Sequence, residues 1–135
     1  MSQKIIYQVQ RQQNVLWLRA AVSGNNQTPL LVRLLIDTGA SYTVLPKKIL
    51  QRIGCNLKQP LGNKKIVTAN GSITVPIVAV PSFNCLGVLQ ENYPVVALDL
   101  PANSFTDGLL GMDFLCEVKA VIDVAQGEIL VQSPK

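Results

Sequence analysis

Asp37 is the only carboxylate among the first 90 residues, and it stands where a charge is costly. It ends the apolar run Leu34-Leu35-Ile36 and is followed by Thr38-Gly39-Ala40-Ser41. At the end of a buried strand an ionised carboxyl must find hydrogen bonds or a partner, because desolvation disfavours the charged form. The residues after it suit that need. Gly39 permits a tight backbone path and lets NH groups or a ligand come close. Thr38 and Ser41 bring short hydroxyls that can brace the loop and the carboxylate. The chemistry open to such a group is proton transfer, as acid or as base. A plain Asp-x-Gly turn would use the same residues, and a bare Asp-Ser/Thr-Gly triplet arises by chance in roughly 6% of chains this long. The weight therefore falls on the surroundings.

Absent residue types narrow the chemistry. The sequence has no histidine, which excludes Ser-His-Asp and Cys-His catalysis and the usual zinc sites. Cys55, Cys85 and Cys116 stand 30 and 31 residues apart, with no C-x-x-C pair, and read as reduced, mostly buried thiols. No metal or cofactor is expected. Net charge is +4, yet ten of the twelve basic residues lie between positions 4 and 65 and seven of the eight acidic ones from Glu91 onward. Lys47, Lys48 and Arg52 share one face of a short helix, and Lys64-Lys65 precede a strand. Aromatics are only 5% of the chain and do not interleave with these cations, so the clusters read as solvated faces rather than a nucleic-acid surface.

The elements that must position Asp37 are mostly strands. With 135 residues and 48% hydrophobic content, the chain suits one domain, residues 1–135, with its core over about 15–131. Its longest apolar stretches, such as 34–36 and 77–80, fall far short of the ~20 residues that span a bilayer. Met1-Ser2-Gln3-Lys4 opens no signal-peptide pattern. The expectation is a soluble, cytoplasmic protein without membrane contact. Residues 5–9 begin with β-formers. Residues 15–22 and 30–36, joined by Ser23-Gly24-Asn25-Asn26-Gln27, predict a hairpin. Pro46 at a first helical position, apolar Ile49, Leu50 and Ile53, and Gly54 past the end predict one short helix. Asn70-Gly71 between Ile66-Val67-Thr68 and Ile73-Thr74-Val75 predicts a second hairpin, since both tolerate positive φ. Strands are expected at 77–80 and 95–98, punctuated by Pro76, Pro81, Pro94 and Pro101. Residues 109–115 read as a buried strand end turning into a short helix, and 118–124 with 128–131 as a closing strand pair. The class is all-β with one or two short helices.

In this context the segment LLIDTGAS, residues 34–41, resembles the active-site loop of aspartic proteases. Ala69-Asn70-Gly71 at a hairpin tip looks like the flap that folds over substrate. Leu109-Leu110-Gly111 looks like the family's hydrophobic-hydrophobic-Gly element, through which the chain passes behind the catalytic loop. The resemblance covers roughly residues 15–131. It is nearest to single-domain, retropepsin-like proteases of bacteria, retroelements and the DNA-damage-inducible shuttle proteins. It implies a closed acid-protease β-barrel with a flap hairpin. Two positions depart from the retroviral pattern: Ser41 and Met112 stand where an Asp–Arg ion pair often braces the dimer.

The resemblance further implies a homodimer that hydrolyses an extended polypeptide. Asp37 from each subunit would form the catalytic pair and Thr38 would brace the opposite loop. Gly39 and Ala40 would line the substrate backbone, and Ala69, Asn70 and Gly71 would cover it. No other acidic residue lies in a second Asp-Thr/Ser-Gly; Asp107 and Asp113 suit turn and helix-start roles. Residues 5–9 and 128–131 are candidate two-fold interface strands, since pairing would cover exposed edges. The rivals are a catalytically silent dimeric binding module of the same fold and a basic nucleic-acid adaptor.

Overall fold

The computed structural model describes residues 4–132. Eleven strands and two short helices follow one another along the described part of the chain. First come β1 (Lys4–Gln8), β2 (Gln10–Gln12) and β3 (Val15–Ser23). β4 (Leu30–Ile36) and β5 (Val44–Leu45) lead to α1 (Lys47–Arg52), then to β6 (Gly62–Thr68), β7 (Gly71–Cys85) and β8 (Val88–Ala97). β9 (Gly108–Leu110), α2 (Met112–Glu117), β10 (Val121–Asp123) and β11 (Glu128–Gln132) complete it. No helix among the described residues is long and apolar enough to cross a membrane.

The large sheet runs β2-β3-β4-β9-β5-β8-β7-β6, and β3 also pairs with β7. That extra pairing, Ala21↔Asn84 to Ser23↔Ser82, closes six strands into a barrel, so the expected all-β closed barrel is present. Its interior follows the period-2 rule of strands. On β3, Leu16, Leu18, Ala20 and Val22 point in, and on β4 Val32 and Leu34 do, all buried. Each fully buried Leu, Val or Phe contributes about 1.5–3 kcal/mol by leaving water. Phe83 stacks on Tyr93 at 5.1 Å and meets Phe114 edge-on at 5.5 Å, which anchors α2 against β7 and β8.

Several expectations shift in detail. The strands at 77–80 and 95–98 are parts of two long strands, β7 and β8, and three of the prolines lie inside them. Pro76 faces Asn63 and Pro94 faces Ala79, while the ladder is interrupted where Pro81 meets Asn92, a residue at φ 52°. A proline cannot donate to the ladder, and the interruption is where that loss is absorbed. Leu86 at φ 52° and Gly87 at φ 71° turn β7 tightly into β8. The β6–β7 hairpin forms, but Thr68 pairs with Gly71, so Ala69-Asn70 occupy the tip and Gly71 opens β7 at φ 119°. Pro46 caps α1 rather than starting it, and the first helical N–H, on Lys47, bonds the Asp99 carboxylate at 2.9 Å.

A separate sheet, β1-β11-β10, joins the two ends of the described chain. β11 lies in its middle, paired with both neighbours, so residues 128–131 are not an exposed edge as expected. The free edges belong to β1 and β10.

The topology around β9 is unusual and matters most for the site. β9 lies between β4 and β5, parallel to the first through Leu34↔Gly108, Leu35↔Leu109 and Ile36↔Leu110, and antiparallel to the second. A Cβ built on Gly108 would stand 2.0 Å from the Val44 carbonyl oxygen, so only glycine fits there. Gly108→Ala is expected to lose about 1–3 kcal/mol or more, as overpacking against backbone does. Gly62→Ala, with nothing within 4 Å of the new methyl, should stay within about 0.5 kcal/mol of wild type. Urea unfolding of the two variants checks the contrast.

Candidate active site

β4 delivers Asp37 to the end of the sheet, and β9 holds it there. The Asp37 N–H donates to the Leu110 carbonyl at 3.1 Å, extending the parallel ladder by one rung. The chain then turns. Gly39 N–H donates to Asp37 Oδ1 at 2.9 Å, and Ala40 N–H to the Asp37 carbonyl at 3.1 Å. A carboxylate that accepts a backbone N–H has its orientation restricted. A Cβ on Gly39 would sit 3.2 Å from that same Oδ1, so any side chain would crowd the oxygen the loop is built to hold.

The far side of the loop is tied to α2. Met112 N–H bonds the Ala40 carbonyl at 2.8 Å and Asp113 N–H the Ser41 carbonyl at 3.2 Å. Thr43, fully buried, links these ties through its side chain. Its Oγ1 accepts Gly111 N–H at 3.2 Å and donates to Asp113 Oδ1 at 2.9 Å, while Tyr93 Oη donates to Asp113 Oδ2 at 3.0 Å. Gly111 has no room for a side chain, since its Cβ would lie 2.5 Å from the Tyr42 carbonyl carbon. Leu110, buried, and Gly111 thus lie directly behind the loop.

A cleft of about 580 Å³ opens beside Asp37. Gly39, Ala40, Ser41 and Leu109 line it, as do Val44, Val96 and Leu98 from the barrel. Its other wall is the stem of the β6–β7 hairpin, Lys64 to Val67, rather than the tip. Ala69, Asn70 and Gly71 are exposed at the end of that hairpin and outside the lining. Thr38 is exposed and turns away from the cleft, bordering two surface hollows that it shares with Met112 on one side and Val124 on the other.

Sequence reasoning missed Thr43, Tyr93, Tyr42 and Lys64. Asp113 does sit in the first turn of α2, as expected, but its carboxylate also receives two hydroxyls from other elements. Asp107 plays its turn role by pairing with Arg33: its Oδ2 accepts the Arg33 N–H and its own N–H bonds the Arg33 carbonyl, both at 2.8 Å. Asp123 likewise accepts Gln126 N–H at 3.0 Å in the last turn. No local pattern announces Thr43 and Tyr93, because their partner is 70 and 20 residues away.

Burial first, then the negative charge of Asp113 and the hydrogen bond to it, raises the Tyr93 hydroxyl well above the usual tyrosine range. The unfolded chain releases this proton near about pH 10 while the native state keeps it. Above that pH the unfolded state binds fewer protons, so this group's contribution to stability is complete below about pH 10 and is lost as pH rises further. Tyr93→Phe should cost about 1 kcal/mol near neutral pH through the lost hydrogen bond. It should also show a shallower loss of stability between about pH 9.5 and 11, and equal slopes in urea unfolding would refute this coupling.

Known proteins provide an independent measure. The family model for aspartyl proteases matches residues 19–114, from β3 to the first turn of α2. Among solved structures, a retropepsin-like aspartic protease from Rickettsia conorii superposes with a TM-score of 0.70. It is 23% identical, with 98% of this chain and 92% of that one covered. The retroviral protease-like domain of Ddi1 from Leishmania major superposes at 0.58 and 17% identity, covering 89% and 90%. Among curated proteins none matches the sequence significantly. The barrel is thus retropepsin-like, with Asp37-Thr38-Gly39 inside the matched region, and the chain belongs to the aspartyl protease family.

Proposed function

We propose that the chain is an aspartic endopeptidase that works as a homodimer. The observation that carries this reading is Asp37 itself: a carboxylate oriented by Gly39 N–H at the mouth of an apolar cleft, with a single Asp-Thr-Gly per chain. A second carboxyl must come from a second copy. Two Asp37 carboxyls can meet only where two 37–39 loops abut, which puts Thr38, exposed and turned from the cleft, near the two-fold axis. The apolar hollows beside Thr38 suit such a contact.

The mechanism follows from charge. Two carboxyls about 3 Å apart cannot both ionise, so they share one proton. The ionised one takes a proton from a water held between them, and the oxygen of that water attacks the peptide carbonyl carbon. The protonated one donates to the carbonyl oxygen as negative charge develops there. Collapse of the tetrahedral species breaks the C–N bond, and the leaving nitrogen takes a proton from the pair. The substrate is an extended polypeptide whose backbone pairs with the loop and the hairpin stem, and whose side chains enter Val44, Val96, Leu98 and Leu109.

Purified protein incubated with a peptide library should cleave internal bonds with a bell-shaped pH profile and an optimum on the acid side of neutral. Asp37→Asn should lower the rate by about 10³-fold or more with the dimer retained. Dimeric protein that cuts nothing at any pH would favour the silent binding module. Mixing tests the shared site directly. Equal amounts of wild-type and Asn-substituted chains, allowed to exchange, should give wild-type homodimers in about a quarter of pairings. Total activity should then fall to about half that of the same wild-type chains kept unmixed. Activity that stays at the unmixed level after complete exchange, followed through a tag on one partner, would show that each chain works alone.

A further inference from the structure

The charges that face the cleft are of one sign, apart from Asp37. Lys64 and Lys65 line it, and none of the seven acidic residues from Glu91 onward does. Lys64 is the better placed of the two. It alternates with Ile66 on the half-buried face of β6, whereas Lys65 and Val67 are exposed. Its Nζ lies 4.9 Å from the centre of the Tyr42 ring. A lysine over an aromatic face is held in place by the ring quadrupole, while its three N–H donors stay available for a ligand. Among the described residues no carboxylate meets this ammonium.

Position along the cleft follows from the chain. Tyr42 comes five residues after Asp37, past the turn at Gly39 and Ala40, and the apolar residues Val44, Val96 and Leu109 line the space with it. A peptide crossing the site therefore presents side chains to an apolar surface and to a cation clamped at Tyr42. Two-fold symmetry repeats the arrangement on both sides of the scissile bond. Resting on the proteolytic reading above, we infer that Lys64 is a specificity-determining residue and that the preferred substrates are acidic peptides. These carry apolar side chains at the scissile bond, flanked by Asp or Glu on at least one side.

The test uses quenched-fluorescent peptides with one apolar core, in matched pairs that differ only by Glu against Gln at each flanking position. Wild type should cleave the best Glu peptide about fivefold faster in kcat/KM than its Gln partner, the size expected of one partly exposed charge pair. The difference should lie mainly in KM and shrink as salt is raised from about 0.05 to 0.5 M, because screening weakens such pairs. In Lys64→Met the Glu-to-Gln ratio should fall to about one, and in Lys64→Glu a matched Lys peptide should overtake the Glu peptide. Lys58→Met, at an exposed lysine outside the cleft, should leave the ratio as in wild type. If wild type cleaves both members of every pair equally, or Lys64→Met keeps the preference, the assignment is wrong though the protease reading stands. If no peptide of any composition is cleaved, it is the protease reading that fails.

Discussion

The Asp37 N–H reaches the carbonyl of Leu110, and the site depends on that one bond being part of a parallel ladder. Paired residues of β4 and β9 are 74 apart in sequence, as Leu34 and Gly108 are, so no local preference can bring them together. What brings them together is burial. Leu34 and Leu110 are both fully removed from water, and the backbone groups between them must pair with each other once water is excluded. The carboxylate is then fixed at the point where the ladder ends and the loop begins. A side chain at a strand end is held more rigidly than one on a free loop.

That arrangement explains where glycine is required. β9 passes between β4 and β5, so the 37–43 segment must cross over its end. At Gly108 and Gly111 the crossing brings backbone to backbone with no room for a methyl group. The same closeness turns Thr43 into a hinge-pin: its hydroxyl serves Gly111 N–H and the Asp113 carboxylate together, in a place where an unpaired polar group would be costly. Tyr93 completes the set from β8. The crossing segment, strand β8 and helix α2 are thereby locked through the one carboxylate of Asp113.

How much of this could be read from residues alone depends on the range of the interaction. The β3–β4 hairpin, α1 and the strand-to-helix turn at 109–115 carry their own signals: turn clusters, alternation, a proline, a glycine at a close approach. Asp37-Thr38-Gly39 carries a local signal too, a carboxylate closing an apolar run, though only its surroundings give that signal weight. The hairpin tip was legible only to within a residue. Asn-Gly favours a positive φ, and Gly71 indeed takes one, but the ladder closes at Thr68↔Gly71 and moves the turn to Ala69-Asn70. Pro76 and Pro94 read locally as breaks, and only the pairing of neighbours shows that the ladder continues across them. The Thr43–Asp113–Tyr93 set and the burial of β11 between two strands belong to tertiary structure alone.

Charge distribution has the same two-level character. Along the chain, cations gather before residue 66 and anions after residue 90, which reads as simple segregation. Folded, the anions are spent on structure: Asp99 on the first turn of α1, Asp107 on Arg33, Asp113 on Thr43 and Tyr93, Asp123 on the last turn. Each accepts hydrogen bonds that a neutral side chain would make more weakly. The cations of β6 have no such duty in the fold, and Lys64 is left against an aromatic ring beside the cleft. The wall opposite Asp37 therefore carries Lys64 and Lys65, and no acidic residue other than Asp37 lines the cleft they share.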